Sequence, residues 1–219
     1  MSKAVNTLQD NDARLVGFLS TLTADQWSQP SLCTDWSNHE VLAHLVVGYS
    51  ATLPSIAAAM LRHRGSFDRT NSSMARALAA QQDPHTLIDD LAALTQLARG
   101  IGRVFPRRLL LGDHVIHELD ITYSIGADSA IPRAILAAVL ETEVAIPNPF
   151  VPASKRARGL NLIATDTTWS HPNDGPTVTG EAGHLASVLA GRPWALGHLT
   201  GDGVAVLAGR LEQSPKSIP

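Results

Sequence analysis

Apolar positions recur at helical spacing through the N-terminal part of the chain, and the period then changes. Leu8, Leu15, Phe18, Leu19 and Leu22 form one stripe, which predicts a helix from about Thr7 to Leu22. Trp27 and Trp36 bracket a loop holding Pro30, Cys33 and Asp35. Ser37-Asn38-His39-Glu40 then reads as a capping box, in which Ser37 accepts from the Glu40 amide and the Glu40 carboxylate reaches back. The helix it opens carries Val41, Leu42, Leu45 and Val46, with His44 set among them, and runs to about Arg62 with a break or bend at Pro54. A polar connection from Arg62 to Asn71 leads to a short Ala-rich helix from Ser72 to Gln82. Asp83-Pro84 places proline at a helix start, and Leu87, Leu91, Leu94 and Leu97 continue that helix. Gly100, Gly102 and Pro106 interrupt the chain before a fourth long helix, from about Arg107 to Ile125. A further helix is expected from Pro132 to Val144.

Pro147-Asn148-Pro149-Phe150-Val151-Pro152 reads as a linker. Beyond it, Leu160 to Thr165 has strand composition, Thr168 to Ser170 and Thr177 to Thr179 read as short strands, and Asn173-Asp174-Gly175-Pro176 as a turn. Glu181 to Ala190 reads as a helix ended by Gly191, and Val204 to Leu211 as a last one. The expected fold class is therefore mostly α: an antiparallel four-helix bundle over residues 1–147, followed by a small α+β domain over 153–219.

Composition narrows the function classes. With 44% hydrophobic and 17% charged residues the chain reads as globular, and its net charge of −3 offers no electrostatic reason to bind nucleic acid or an anionic membrane. No apolar run is long enough to span a bilayer and no signal peptide is visible, so the expected location is the cytoplasm. The single Cys33 excludes an internal disulfide and a Cys-rich zinc site, and nothing beside it in sequence would activate its thiol.

The chemistry concentrates in Gly112-Asp113-His114-Val115-Ile116-His117-Glu118-Leu119-Asp120-Ile121. Leu109 to Leu111 before it and Tyr123 to Ile125 after it are largely apolar, so the stretch is expected to lie inside the protein. On a helix Asp113, His117 and Asp120 share one face. Buried acids and imidazoles are costly unless paired or bound to a cation. A carboxylate and a His one turn apart can both reach one metal, but two ligands do not complete a site. His44, the histidine on a strongly apolar helix face, is the candidate third ligand, facing the other two across the bundle. His114 is expected beside the site or partly exposed, and His39 in an exposed first turn.

Several motifs carry a resemblance. Thr34-Asp35-Trp36-Ser37 with Glu40-Val41-Leu42-Ala43-His44-Leu45 resembles a motif of the mycothiol-dependent maleylpyruvate isomerase family, part of the DinB-like group of metal-binding helical bundles. The Gly112–Ile121 stretch resembles the family's second motif, an acid followed by His and a further Asp. Phe67-Asp68 with Asn71 resembles a loop motif. Trp169, Leu189-Ala190-Gly191-Arg192-Pro193 and Leu199-Thr200-Gly201-Asp202-Gly203-Val204 are similar to its small C-terminal domain. The resemblance implies a DinB-like bundle holding one divalent metal, usually zinc, on His44, Asp113 and His117. The chain has Asp113 where the family's pattern has Glu, one methylene longer with the same carboxylate chemistry.

The resemblance also implies a dependence on mycothiol, with a small-molecule thiol and an electrophile as partners. A cation favours a thiolate over a thiol, and the thiolate is the nucleophile. The same unit serves an isomerase, in which the thiolate adds to C=C and leaves, and an S-transferase, in which it remains attached. Arg192 is the first candidate to hold an anionic substrate, ahead of Arg107, Arg108 and Arg69, because guanidinium matches carboxylate geometry. It could instead satisfy the carbonyls at the end of its helix. Asp120 is expected to orient a ligand histidine. The alternative class is a non-catalytic metal- or ligand-binding protein on the same bundle. A monomer and a homodimer both fit.

Overall fold

A computed structural model of the chain describes residues 3–148 and 151–213, with the side chains of 3–6 left aside. Its elements fall into two compact units that divide after Gly126.

The first unit is helical. Helix α1 (Lys3–Leu19) is followed by a five-residue helix, α2 (Ala24–Ser28), which the sequence reading did not anticipate. Helix α3 (Asn38–Ser50) starts on the Ser37 capping box, with Ser37 Oγ accepting from the Glu40 amide and Glu40 Oε2 accepting from the Ser37 amide at 2.7 Å. The predicted long second helix is two helices. The chain breaks at Ala51-Thr52, where Thr52 caps α4 (Leu53–Arg62) and Pro54 sits in its first turn, the position proline tolerates. Helix α5 (Phe67–Ala79) starts earlier than predicted because Ser66 caps it, so half of the expected polar connection is helical. Helices α6 (Pro84–Gln96), capped by Asp83, and α7 (Arg107–Ser124) match their predicted starts.

Helix α1 packs on α6 and α7, and α3 packs on the same two, which closes a ring of four helices; α5 lies against α3. Leu8, Leu15, Leu19, Leu42, Leu45, Leu87, Leu91 and Leu119 fill the middle. Between α6 and α7 a single 3₁₀ turn (Gly100–Arg103) lies on the end of α3, where the Ile101 amide donates to the Ala51 carbonyl at 2.8 Å. Gly100 has φ +51 and a Cβ there would stand 2.2 Å from that carbonyl oxygen, so the contact requires glycine.

The second unit begins with α8 (Arg133–Ala145) and α9 (Ala153–Ala157). A three-stranded sheet follows in the order β2-β1-β3: β1 (Asn161–Ala164) pairs antiparallel with β2 (Ser170–His171) and parallel with β3 (Thr177–Gly180). Helix α10 (Ala182–Leu189) packs on α8 and α9, and α11 (Val204–Gln213) on α9. Leu136, Leu140, Leu160, Leu162, Val178, Leu185, Val188 and Leu207 form its core. The observed division precedes α8, whereas the sequence reading placed the boundary after it: the apolar face of α8 is taken up by α10. The linker expected at 147–152 lies partly outside the described residues. The chain is thus mostly α with a small α+β C-terminal part. Among the described residues no helix is long and apolar enough to cross a membrane.

Candidate functional site

Eleven of the eighteen residues of α7 are buried, His114, His117, Glu118 and Asp120 among them. Such a helix must find a partner for each ionisable group, and it does so in two directions. On one side His117 and Asp113, one turn apart, face His44 from α3. His44 Nε2 lies 3.5 Å from Asp113 Oδ2, and His117 Nε2 lies 3.7 Å from Asp113 Oδ1. The two imidazoles meet edge to face with centroids 4.6 Å apart. His44 and His117 are 8% and 6% exposed, while the Asp113 side chain is 35% exposed, so the group opens on the carboxylate side.

Both histidines are held in the same tautomer. His44 Nδ1 lies 2.9 Å from Asn71 Oδ1, on α5, and an amide oxygen only accepts, so Nδ1 carries the hydrogen. His117 Nδ1 likewise donates to Asp120 Oδ2 at 3.1 Å. Each ring therefore turns its Nε2 toward Asp113. Trp36 lies over both rings, with centroids at 5.1 Å and 6.1 Å, and is anchored by its indole N–H donating to Ser72 Oγ. The Ser37 cap fixes where α3 begins and hence where His44 points.

The electrostatics agree with the geometry. Burial pushes the Asp113 carboxyl up, but His44, then His117 and His114, pull it further down, so it is held below the usual carboxylate range. Burial, with His44 helping, keeps His117 below the ordinary imidazole value against Asp120 and Asp113, which favours the neutral ring. Two imidazole Nε2 atoms and a carboxylate, with one open side, are the donor set of a zinc-type cation with a free coordination position once the imidazoles are neutral.

The other side of α7 corrects the expectation for His114. It is fully buried and turned to α1, where its Nδ1 lies 2.7 Å from Asp12 Oδ1 and the Tyr49 hydroxyl donates to Asp12 Oδ2. Burial lowers His114, but the Asp12 charge and hydrogen bond outweigh it and raise the imidazole above its ordinary value. Glu118 takes both ends of the Arg14 guanidinium. His39 is half-buried and reaches the Gln82 carbonyl at 3.0 Å. Sequence reasoning missed Asn71 as the partner of His44 and Asp12 as the partner of His114, because both contacts join distant segments.

Arg192 lies in the second unit and is 5% exposed. Its Nη1 donates to the Ala190 carbonyl at 3.0 Å, at the end of α10, in the manner of a helix-end cation. Glu143 lies among Arg192 and Arg156, with burial pushing its carboxyl well up against both cations.

Residues 8–107 match the family of the mycothiol maleylpyruvate isomerase N-terminal domain, a segment that includes His44 and Asn71 and stops where α7 begins. No curated protein sequence matches the chain. Among solved structures, that of a mycothiol-dependent maleylpyruvate isomerase is similar at 16% identity and TM-score 0.56, covering 99% of this chain and 95% of that one. A histidine-to-alanine mutant of a mycothiol-dependent maleylpyruvate isomerase is similar with TM-score 0.55 at the same identity and coverage. The fold is shared with these structures over both units. The match to the mycothiol maleylpyruvate isomerase N-terminal domain thus covers residues 8–107, somewhat under half of the chain.

Proposed function

We propose that the chain is a cytoplasmic metal- and mycothiol-dependent enzyme, an isomerase or S-transferase of the maleylpyruvate isomerase type, acting on a small electrophile. The observation that carries this reading is the pair of His44 and His117 Nε2 atoms turned on one ionised, half-open carboxylate, with both Nδ1 atoms already engaged. His44, Asp113 and His117 would hold a divalent cation, zinc by the chemistry of the donor set. When bound, it would favour the thiolate of an incoming thiol at neutral pH. Asp120 and Asn71 fix the tautomers and orientation of the two rings, and Trp36 excludes water from their far side. Arg192, by its place in the tail motif, is the candidate for holding a carboxylate of the substrate.

The test is to load the purified protein with zinc and follow mycothiol with maleylpyruvate and with a panel of alkylating electrophiles. Isomerisation without net thiol loss marks an isomerase; stoichiometric thiol consumption marks a transferase. Neither, at full zinc occupancy, contradicts an enzymatic role.

Asn71 offers a sharper check on the geometry. Asn71→Ala removes the acceptor that fixes His44 and is expected to weaken zinc ~10–100-fold, as loss of a ligand's supporting partner does. Competition against a chromophoric chelator measures it. Unchanged affinity would mean that the Asn71 contact does not orient a ligand.

A further inference from the structure

A second donor group adjoins the first. Cys33, His117 and Asp120 each bring a ligand atom within 4.8 Å of the others, and all three are buried, at 1%, 6% and 0% exposure. From this geometry we infer a second, inner position for a thiophilic divalent cation, separate from the His44–Asp113 side and sharing His117 with it. His117 stands between the two groups: its Nε2 faces Asp113 at 3.7 Å and its Nδ1 faces Asp120 at 3.1 Å.

The inner group is fixed from both sides. The Leu32 amide donates to the backbone carbonyl of Asp120 at 3.3 Å, tying the Cys33 loop to α7. The Cys33 amide donates to Ser31 Oγ at 3.1 Å, and the Trp36 amide donates to the Cys33 carbonyl at 3.2 Å. Asp35, at φ +65, turns the loop over so that Trp36 and Cys33 both point inward. Thiolate, imidazole and carboxylate together suit zinc, cadmium and cobalt, with the sulfur selecting against hard cations. Occupation releases the Cys33 proton to solvent, and the cation replaces the His117–Asp120 hydrogen bond; the His117 Nδ1 proton moves to Nε2 when the outer position is empty and leaves to solvent when a second cation holds Nε2.

Cys33 is the sole cysteine of the chain, so any thiolate–metal signal belongs to it. The experiment titrates the chelator-stripped full chain with Co²⁺ and reads the near-ultraviolet thiolate-to-cobalt charge-transfer band beside the visible ligand-field bands. The expected result is a thiolate band that persists in His44→Ala, which removes only an outer donor, and is lost in Cys33→Ser. In Cys33→Ser the visible bands remain, reporting the outer group. Visible bands at saturation without a thiolate band, in the wild-type chain, would overturn the inner position and leave the outer one standing. A thiolate band in His44→Ala with no outer metal would uphold the inner position and remove the proposed enzyme's site. The wild-type and His44→Ala readings decide the matter even if Cys33→Ser folds poorly, and the absence of any cobalt uptake overturns it.

Discussion

His44→Ala and His117→Ala are each expected to weaken the zinc held between His44, Asp113 and His117 by more than ~100-fold in affinity, beyond the ~10–100-fold typical of a lost supporting residue. Each removes one of three donors, and the remaining pair cannot enclose the cation: His44 and His117 approach Asp113 from different helices, and neither can move to replace the other. His117→Ala also strands Asp120, a buried carboxylate whose oxygen accepts from that ring at 3.1 Å, so it should cost stability as well as metal. His44→Ala leaves Asn71 half-exposed and able to bond to water, so it should fold nearly as well as the wild type. Equilibrium dialysis with metal analysis, run beside a thermal melt, separates the two effects. Full zinc content in both variants would mean that the cation, if bound, sits elsewhere.

The second large effect lies behind the site. Asp12→Ala is expected to destabilise the protein by about 3–5 kcal/mol, the cost of breaking a buried charged pair by removing one partner. The change strands two donors at once, His114 Nδ1 and the Tyr49 hydroxyl, in a region with no exposure to water. Urea unfolding measures it, and a loss under 1 kcal/mol would contradict the network. The pair also has a pH signature. His114 has a raised pKa in the folded state, so its contribution is complete below the unfolded value of about 6.5 and is lost as pH rises through the folded value. Metal-free protein should therefore lose stability on the alkaline side of pH 6.5, and Asp12→Ala should lack that slope. His117, with a lowered pKa, acts in the opposite sense and only below pH 6.5, so the two do not overlap.

The helix starts at Ser37 and Asp83 could be read from the sequence because a cap is a local interaction spanning three residues. The Asp113–His117 pair was legible for the same reason, being one turn of a single helix. His44 as their partner needed the further idea of a bundle, which brings α3 against α7. What stayed hidden depends on the fold alone. The start of α5 at Phe67 rests on Ser66 in a polar stretch with no apolar stripe to signal it. The place of α8 in the second unit depends on which helix covers its apolar face, and periodicity cannot name that partner. Asn71 and Asp12 are distant in sequence from the histidines they hold. Cys33, with nothing beside it in sequence to activate it, stands next to His117 and Asp120 only once the loop is laid on α7.

The most direct measurement is the metal content of the purified wild-type chain, before and after chelation and after reloading with zinc under thiol-free conditions. The proposed function predicts at least one zinc per chain that chelation removes and reloading restores, with loss of catalysed thiol chemistry in between. No retained zinc at micromolar concentration would contradict it, and would leave His44, Asp113 and His117 as a hydrogen-bonded polar cluster without a cation.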